Sequence, residues 1–129
     1  MSERALVPEP AGLLLSRDLI FTAKITGTAR ELGHRVLVAG NPALAAAMID
    51  QWRPRVVLVD LTSGELASLP ALTAYRKATG PGVPFVAFGP HVDATALEAA
   101  RAAGCDEVLT RSKFSAELPG LLRRYFQEP

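Results

Sequence analysis

The sequence has few of the features that mark specialised classes of protein. One of its 129 residues is a cysteine, Cys105, so no disulfide can form within the chain, which fits a reducing compartment. No apolar run approaches the roughly 20 residues that a membrane-spanning helix needs. The opening residues, MSERALVPEP, lack the apolar core of a signal peptide. We therefore expect a cytoplasmic protein that does not contact a membrane.

An excess of charge of either sign is also missing. Fourteen Lys and Arg residues face 13 Asp and Glu residues, a net charge of +1, so bulk electrostatics does not favour nucleic acid as a partner. The 49% hydrophobic and 21% charged fractions are those of a globular protein. At this length we expect one core. Residues 1–10, which are charged and contain two prolines, are predicted to be a flexible lead-in, and residues 11–129 a single domain.

Motifs for cofactor chemistry or hydrolysis are absent as well. The chain has no Walker loop, no GxGxxG and no Gly-x-Ser-x-Gly. The stretch TAKITGTA, residues 22–29, has the composition of a phosphate-binding loop but is predicted to lie inside a helix, where it cannot act as one. His91 has no second His or Cys nearby in sequence that would complete a metal site. We expect no cofactor, no metal and no enzymatic activity.

What the chain does contain is a regular alternation of short apolar runs and longer helical patterns. The runs predict five strands, at residues 13–15, 36–38, 55–60, 84–88 and 108–109. Helix starts are indicated by Asn41-Pro42, Ser68 and Asp93. The second helix is predicted to carry Leu44, Met48 and Trp52 on one side, and Pro119 to lie near the first turn of the last helix. Continuously apolar strands indicate a sheet that is covered on both faces. The predicted fold is α/β: a doubly wound, five-stranded parallel sheet of flavodoxin-like, three-layer (βα)5 architecture.

Polar residues follow each predicted strand. In a parallel sheet they meet at one edge, where such folds form their sites. The five groups are Ser16-Arg17-Asp18, Ala39-Gly40-Asn41, Asp60, Gly89-Pro90-His91 and Thr110-Arg111-Ser112.

Three phrases resemble a known family over most of the chain. RPRVVLVDL is similar to the third strand of the receiver (CheY-like) domain of bacterial two-component response regulators, with its phospho-accepting aspartate at Asp60. VPFVAFG resembles the fourth strand of that family. ARAAGCDEVLTRSKFSAELPGLL resembles its fourth helix, fifth strand and last helix.

The resemblance implies a phosphorylation site that has lost most of its parts. Receivers hold Mg²⁺ with an acidic pair after strand one, and here Ser16 and Arg17 align with that pair, while Asp18 comes one place late. The Ser or Thr after strand four aligns with Gly89, the Lys after strand five with Arg111, and the aromatic switch residue with Val108. Asp60 alone is retained. We expect it to pair with Arg17 or Arg111.

These correspondences favour a stand-alone pseudo-receiver that signals by docking to proteins of a bacterial pathway, without Mg²⁺-dependent phosphorylation. The resemblance implies docking, or homodimerisation, through helix four, strand five and helix five. Leu97, Ala100 and Val108 are the predicted contact residues. Two alternatives stay open. One is a phosphorylatable receiver in which Arg17 and Arg111 replace the metal and the Lys. The other is a small-ligand-binding protein of flavodoxin-like fold.

Overall fold

The structure, a computed structural model, describes residues 10–126. Strands and helices alternate along the chain, in the order β1 (Pro10–Leu15), α1 (Leu19–Glu31), β2 (Arg35–Ala39), α2 (Pro42–Trp52), β3 (Val56–Asp60), a 3₁₀ turn (Gly64–Ala67), α3 (Leu69–Thr79), β4 (Phe85–Gly89), α4 (Ala94–Ala102), β5 (Glu107–Thr110) and α5 (Arg111–Phe126). β1 begins at Pro10, the last residue of the predicted lead-in. The rest of the predicted lead-in lies outside the described residues.

The strands form one parallel sheet in the order β2-β1-β3-β4-β5. The change in winding direction after β1 places α1 and α5 on one face and α2, α3 and α4 on the other. The predicted doubly wound, three-layer architecture is confirmed. The stretch at residues 22–29 lies within α1, as expected. None of the helices among residues 10–126 is both long enough and apolar enough to cross a bilayer.

Each face of the sheet has its own apolar core. Alternate residues of one strand serve opposite cores, as Leu14 and Leu58 pack towards α1 and α5 while Leu13 and Val57 pack towards α2 and α3. All five residues of β3 and of β4 are buried. Burial on both sides explains why these strands lack a polar alternation.

Local signals place the start of four helices. The side chains of Asp18, Asn41, Ser68 and Asp93 each accept a hydrogen bond from a backbone N–H in the first turn of the helix that follows. Such bonds satisfy donors that the helix itself leaves free. Three of these caps were predicted from the sequence.

The buried side of α2 differs from the prediction. Ala45 and Ile49 face the core, whereas Leu44 and Trp52 are 41% and 37% exposed. Met48, the third residue predicted for that side, is half-buried and packs against the core. The inner side of α2 therefore contains Ala45, Met48 and Ile49 rather than Leu44 and Trp52.

The last helix also differs, because it begins immediately after β5. It runs from Arg111 to Phe126, so Pro119 lies in its middle rather than near its first turn. Pro119 is exposed, and the carbonyl four residues earlier, which loses its N–H partner, lies on the side of the helix that water can reach.

Candidate functional site

Asp60 lies at the carboxyl end of β3, the central strand of the sheet. Strands β1 and β4 flank it, and the residue is 1% exposed. The apolar run Val56–Val59 forms most of the strand, and Asp60 is its last residue. The carboxylate therefore lies at the edge of the sheet where the βα loops meet. Asp60 is thus a buried acidic group at the position predicted for a site.

The loop after β3 wraps round this carboxylate. Oδ1 of Asp60 accepts hydrogen bonds from the backbone N–H of Thr62, at 3.0 Å, and from its hydroxyl, at 2.6 Å. The Ser63 N–H donates to the Asp60 carbonyl at 3.1 Å. An aspartate that accepts from the N–H two residues later is the common Asx turn. Two bonds of the buried acid are therefore local ones.

Ser16 forms a hydrogen bond with the other carboxylate oxygen of Asp60. Its hydroxyl donates to Oδ2 of Asp60 at 2.8 Å and accepts a bond from the Asp18 N–H at 3.1 Å. Ser16 is itself only 3% exposed. A second buried hydroxyl, that of Ser63, accepts from the Arg17 N–H at 3.1 Å. The loops after β1 and β3 are joined through these hydroxyl groups.

The expected pairing of Asp60 with an arginine is wrong. Arg17 is exposed, and its Nε donates to the carbonyl of Gly40 at 2.8 Å. Arg111 forms an ion pair with Asp18 at 2.5 Å and lies 4.6 Å from the centre of the Phe21 ring. In the part of the chain that the structure describes, neither guanidinium bonds to Asp60. Hydroxyl and backbone N–H donors satisfy the acid instead.

Asp18 serves the start of α1. Oδ1 accepts from the Phe21 N–H at 2.9 Å, and Oδ2 binds Arg111. The Phe21 N–H, together with Arg111, holds the pKa of Asp18 below its ordinary value, although partial desolvation opposes the shift. With one oxygen used by the helix and the other by the ion pair, Asp18 is a capping residue that links α1 to the start of α5.

Gly89, at the end of β4, is closely covered by Leu61. A Cβ placed on Gly89 would lie 3.2 Å from Cβ of Leu61 and 3.4 Å from its Cδ1. Such distances require Leu61 to move. Gly89 aligns with the hydroxyl-bearing residue of receivers, and here apolar atoms fill the space that this side chain would need.

The residues around Asp60 do not fit the Mg²⁺ that the family resemblance implies. Mg²⁺ prefers carboxylate and other oxygen ligands in octahedral geometry. Ser16 and Thr62 direct O–H and N–H donors at the lone pairs that a metal would use. Among residues 10–126, no three His, Cys, Asp or Glu side chains form a group suited to a metal ion.

The predicted docking residues of α4 face inwards. Leu97 and Ala100 are 8% and 1% exposed, and Ala100 belongs to the core beneath α2 and α3. Val108 is half-buried against the same core. The prediction that Leu97 and Ala100 form a docking surface is wrong, because these two residues lie three places apart and share the inner side of α4. For Val108 it stays a prediction. Ala94, Ala99 and Ala102 are the exposed alanines of this helix.

His91 and Cys105 lie away from Asp60's hydrogen-bond network. His91 is exposed in the loop between β4 and α4. Burial raises the pKa of the Cys105 thiol to about 11, so the thiol stays protonated near neutral pH.

Sequence reasoning missed Thr62, Ser63 and Leu61. The signal for Thr62 was present, since an Asp followed two places later by a turn residue indicates an Asx turn. No sequence signal indicated Leu61. Its contact with Gly89 is between the residue after β3 and the last residue of β4, which are far apart in sequence.

Comparison by sequence gives no match to a protein-family model and none to a curated protein. Comparison by structure does. The receiver domain of NtrX from Brucella abortus superposes with a TM-score of 0.77 at 20% identity, covering 92% of this chain and 99% of that one. The chain has the receiver fold.

Two further receiver domains support this result. One belongs to a sensor histidine kinase of Pseudomonas aeruginosa and was solved with a magnesium ion in its active-site cleft. Its TM-score is 0.73 at 23% identity, over 92% of this chain and 99% of that one. The other belongs to the Saccharomyces cerevisiae response regulator Ssk1, solved with the histidine phosphotransfer protein Ypd1. Its TM-score is 0.74 at 17% identity, over 92% of this chain and 90% of that one. At these identities the likeness concerns the fold.

Proposed function

We propose that this chain is a non-enzymatic pseudo-receiver, a receiver-fold signalling module that docks to a protein partner without Mg²⁺-dependent phosphorylation of Asp60. The observation that carries the proposal is the set of hydrogen bonds at Asp60. Both carboxylate oxygens accept from neutral donors, and one of those donors, Ser16, stands where receivers carry an acidic metal ligand.

Phosphoryl transfer to a carboxylate needs cations that neutralise the anionic oxygens of the transferred group. Arg17 and Arg111 would be the replacements, but they bond to Gly40 and to Asp18. Leu61 fills the space of the hydroxyl that aligns with Gly89. These three contacts together favour a site that holds one conformation.

The test is an NMR titration of the full chain with Mg²⁺ and beryllofluoride. We expect the amide resonances of Asp60, Thr62 and the α4 and β5 residues to stay unchanged at millimolar Mg²⁺. Asp60→Asn is the control, since shifts that occur in the wild type and disappear in this variant report binding at Asp60. That outcome would replace the proposal with the phosphorylatable receiver.

Exposed apolar side chains near the site support docking to a protein. Leu19 and Ile20, in the first turn of α1, are 82% and 87% exposed, and Val92, in the loop after β4, is 79% exposed. All three lie at the edge of the sheet that holds Asp60. Exposed apolar residues grouped at one edge are typical of protein-binding surfaces.

A pair of matched substitutions tests this surface. Ile20→Glu should weaken a captured partner complex, or self-association measured by sedimentation, whereas Ala99→Glu on exposed α4 should have little effect. The reverse order of effects would move the docking surface to α4.

A further inference from the structure

A second candidate site lies at the opposite edge of the sheet from Asp60. A groove of about 470 Å³ opens between the end of α1 and the start of β2, and it is lined by Thr26, Arg30, His34, Arg35 and Val36. Of the lining residues within 10–126, two are arginines, one is a histidine and none is acidic. In a chain whose net charge is +1, this is a local excess of positive charge.

The turn between α1 and β2 fixes the positions of the basic residues. The N–H of Gly33 donates to the carbonyl of Arg30, and the N–H of His34 donates to that of Ala29, both at 2.9 Å. Gly33 has a φ of 83°. These two bonds and a left-handed glycine constitute the Schellman motif, a rigid way to end a helix. Arg30, His34 and Arg35 are thus held at one place by backbone geometry.

Both arginines of the groove have guanidinium groups that are free to bind a ligand. Arg30 and Arg35 are exposed, and within residues 10–126 neither side chain has a hydrogen bond or an ion pair. Other arginines of the domain, such as Arg76, Arg111 and Arg124, are each paired with a carboxylate. A cation in the last turn of a helix stabilises the helix dipole, which accounts for Arg30. It does not account for Arg35, which belongs to β2.

His34 forms a firm wall of the groove. Its ring centre lies 4.7 Å from that of Phe126, which is 1% exposed. Arg55 donates to the carbonyl of Phe126 at 3.0 Å. The imidazole is therefore held in place by a buried neighbour.

We propose that this groove binds a small phosphorylated compound, with Arg30 and Arg35 holding its phosphate group. The planar fork of a guanidinium matches two phosphate oxygens at once, and such charge-assisted bonds are the strong ones. The volume falls in the range of small-molecule sites, about 300–1,000 Å³, and exceeds what one phosphate fills. The remaining space, next to Thr26 and Val36, would take the body of the compound.

The experiment is an NMR titration of the full ¹⁵N-labelled chain at constant ionic strength, with inorganic phosphate, pyrophosphate and AMP as probes. We expect saturable shifts of the Gly33, His34 and Arg35 amides and of the arginine Nε groups, with AMP or pyrophosphate binding more tightly than phosphate. Arg30→Gln and Arg35→Gln should each weaken the better probe by about tenfold or more.

Arg101→Gln is the matched control. It removes the same charge from exposed α4, and it should leave the affinity unchanged. Three results would overturn the proposal: shifts that do not saturate, equal losses in all three variants, or binding only to a long polyanion such as heparin. Thermal unfolding of each variant shows that a lost shift is not a lost fold. Since the groove lies far from Asp60, the outcome is independent of the pseudo-receiver proposal, and Asp60→Asn should bind the probes normally.

Discussion

Replacement of Asp60 by alanine would remove the acceptor of three hydrogen bonds from the interior of the site. The Ser16 hydroxyl would then point at an apolar methyl group while remaining 3% exposed. The two donors of Thr62 would also lose their acceptor, but Thr62 is exposed and water can replace it. The unequal access to water decides how much each lost bond costs.

The expected magnitude follows from these environments. A buried donor left without a partner costs about 1–3 kcal/mol, and a hydrogen bond that water replaces about 0.5–1.5 kcal/mol. We therefore expect Asp60→Ala to lower the free energy of unfolding by about 2–4 kcal/mol. Asp60→Asn should cost about 1 kcal/mol, because its carbonyl oxygen can still accept from Thr62. Urea denaturation monitored by circular dichroism would measure both values.

A double-mutant cycle separates the Ser16–Asp60 bond from the rest. Ser16→Ala removes the stranded donor, so the combined variant should be clearly less destabilised than the sum of the two single variants. Additive effects, or an unchanged urea midpoint in Asp60→Ala, would refute the reasoning. Either result would mean that the carboxylate is not held by Ser16 in solution.

Four other predictions use different parts of the fold. Gly89→Ala should lower the free energy of unfolding, measured by urea denaturation, by about 1–3 kcal/mol, because the new methyl group displaces Leu61. Gly40→Ala should lower it less, because the space around a Cβ at Gly40 is open. Gly33→Ala should cost about 1–2 kcal/mol, because its φ is 83°, while Gly27→Ala inside α1 should stabilise by roughly 0.5–1 kcal/mol; equal effects would contradict the backbone argument. Although burial opposes the shift, the Phe85 N–H and Arg76 hold the pKa of Asp106 below its ordinary value. The stability that this carboxylate contributes is present above the pKa of the unfolded chain and is lost as pH falls through the lower pKa of the folded state. Asp106→Asn should therefore destabilise the fold at pH 7 and progressively less below about pH 4. A difference in the free energy of unfolding that does not depend on pH would contradict this prediction. The Cys105 thiol, with a pKa of about 11, should be alkylated by iodoacetamide at pH 8 much more slowly than a free cysteine, and equal rates would show that burial is incomplete.

Much of the fold was predictable because its signals are local. The apolar runs at β3 and β4 are continuous, and Asn41, Ser68 and Asp93 cap the helices that they were expected to open. Each of these features depends on a few neighbouring residues and on backbone hydrogen bonds. The right-handed crossover rule then leaves few ways to order five parallel strands.

The partners of the site were harder to predict, because they depend on side-chain directions. Residues after β1 and β5 were expected near Asp60, and Ser16 is indeed its partner. Arg17 directly follows Ser16 and Arg111 directly follows β5, but their side chains turn towards Gly40 and Asp18. Adjacent side chains of an extended segment point in opposite directions. The order of the strands therefore does not predict which of two neighbouring residues faces Asp60.

The sequence by itself determined the alternation of five strands and five helices, the parallel sheet, and the placement of Asp60 at the carboxyl end of a buried strand. These follow from the period of apolar residues and from caps a few residues apart. Only the tertiary structure decided that Ser16 donates to Asp60, that Leu61 covers Gly89, and that Leu97 and Ala100 are core residues. Such contacts are between residues that are distant in sequence. The local sequence pattern permits several sets of side-chain contacts, and close packing of the interior selects one of them.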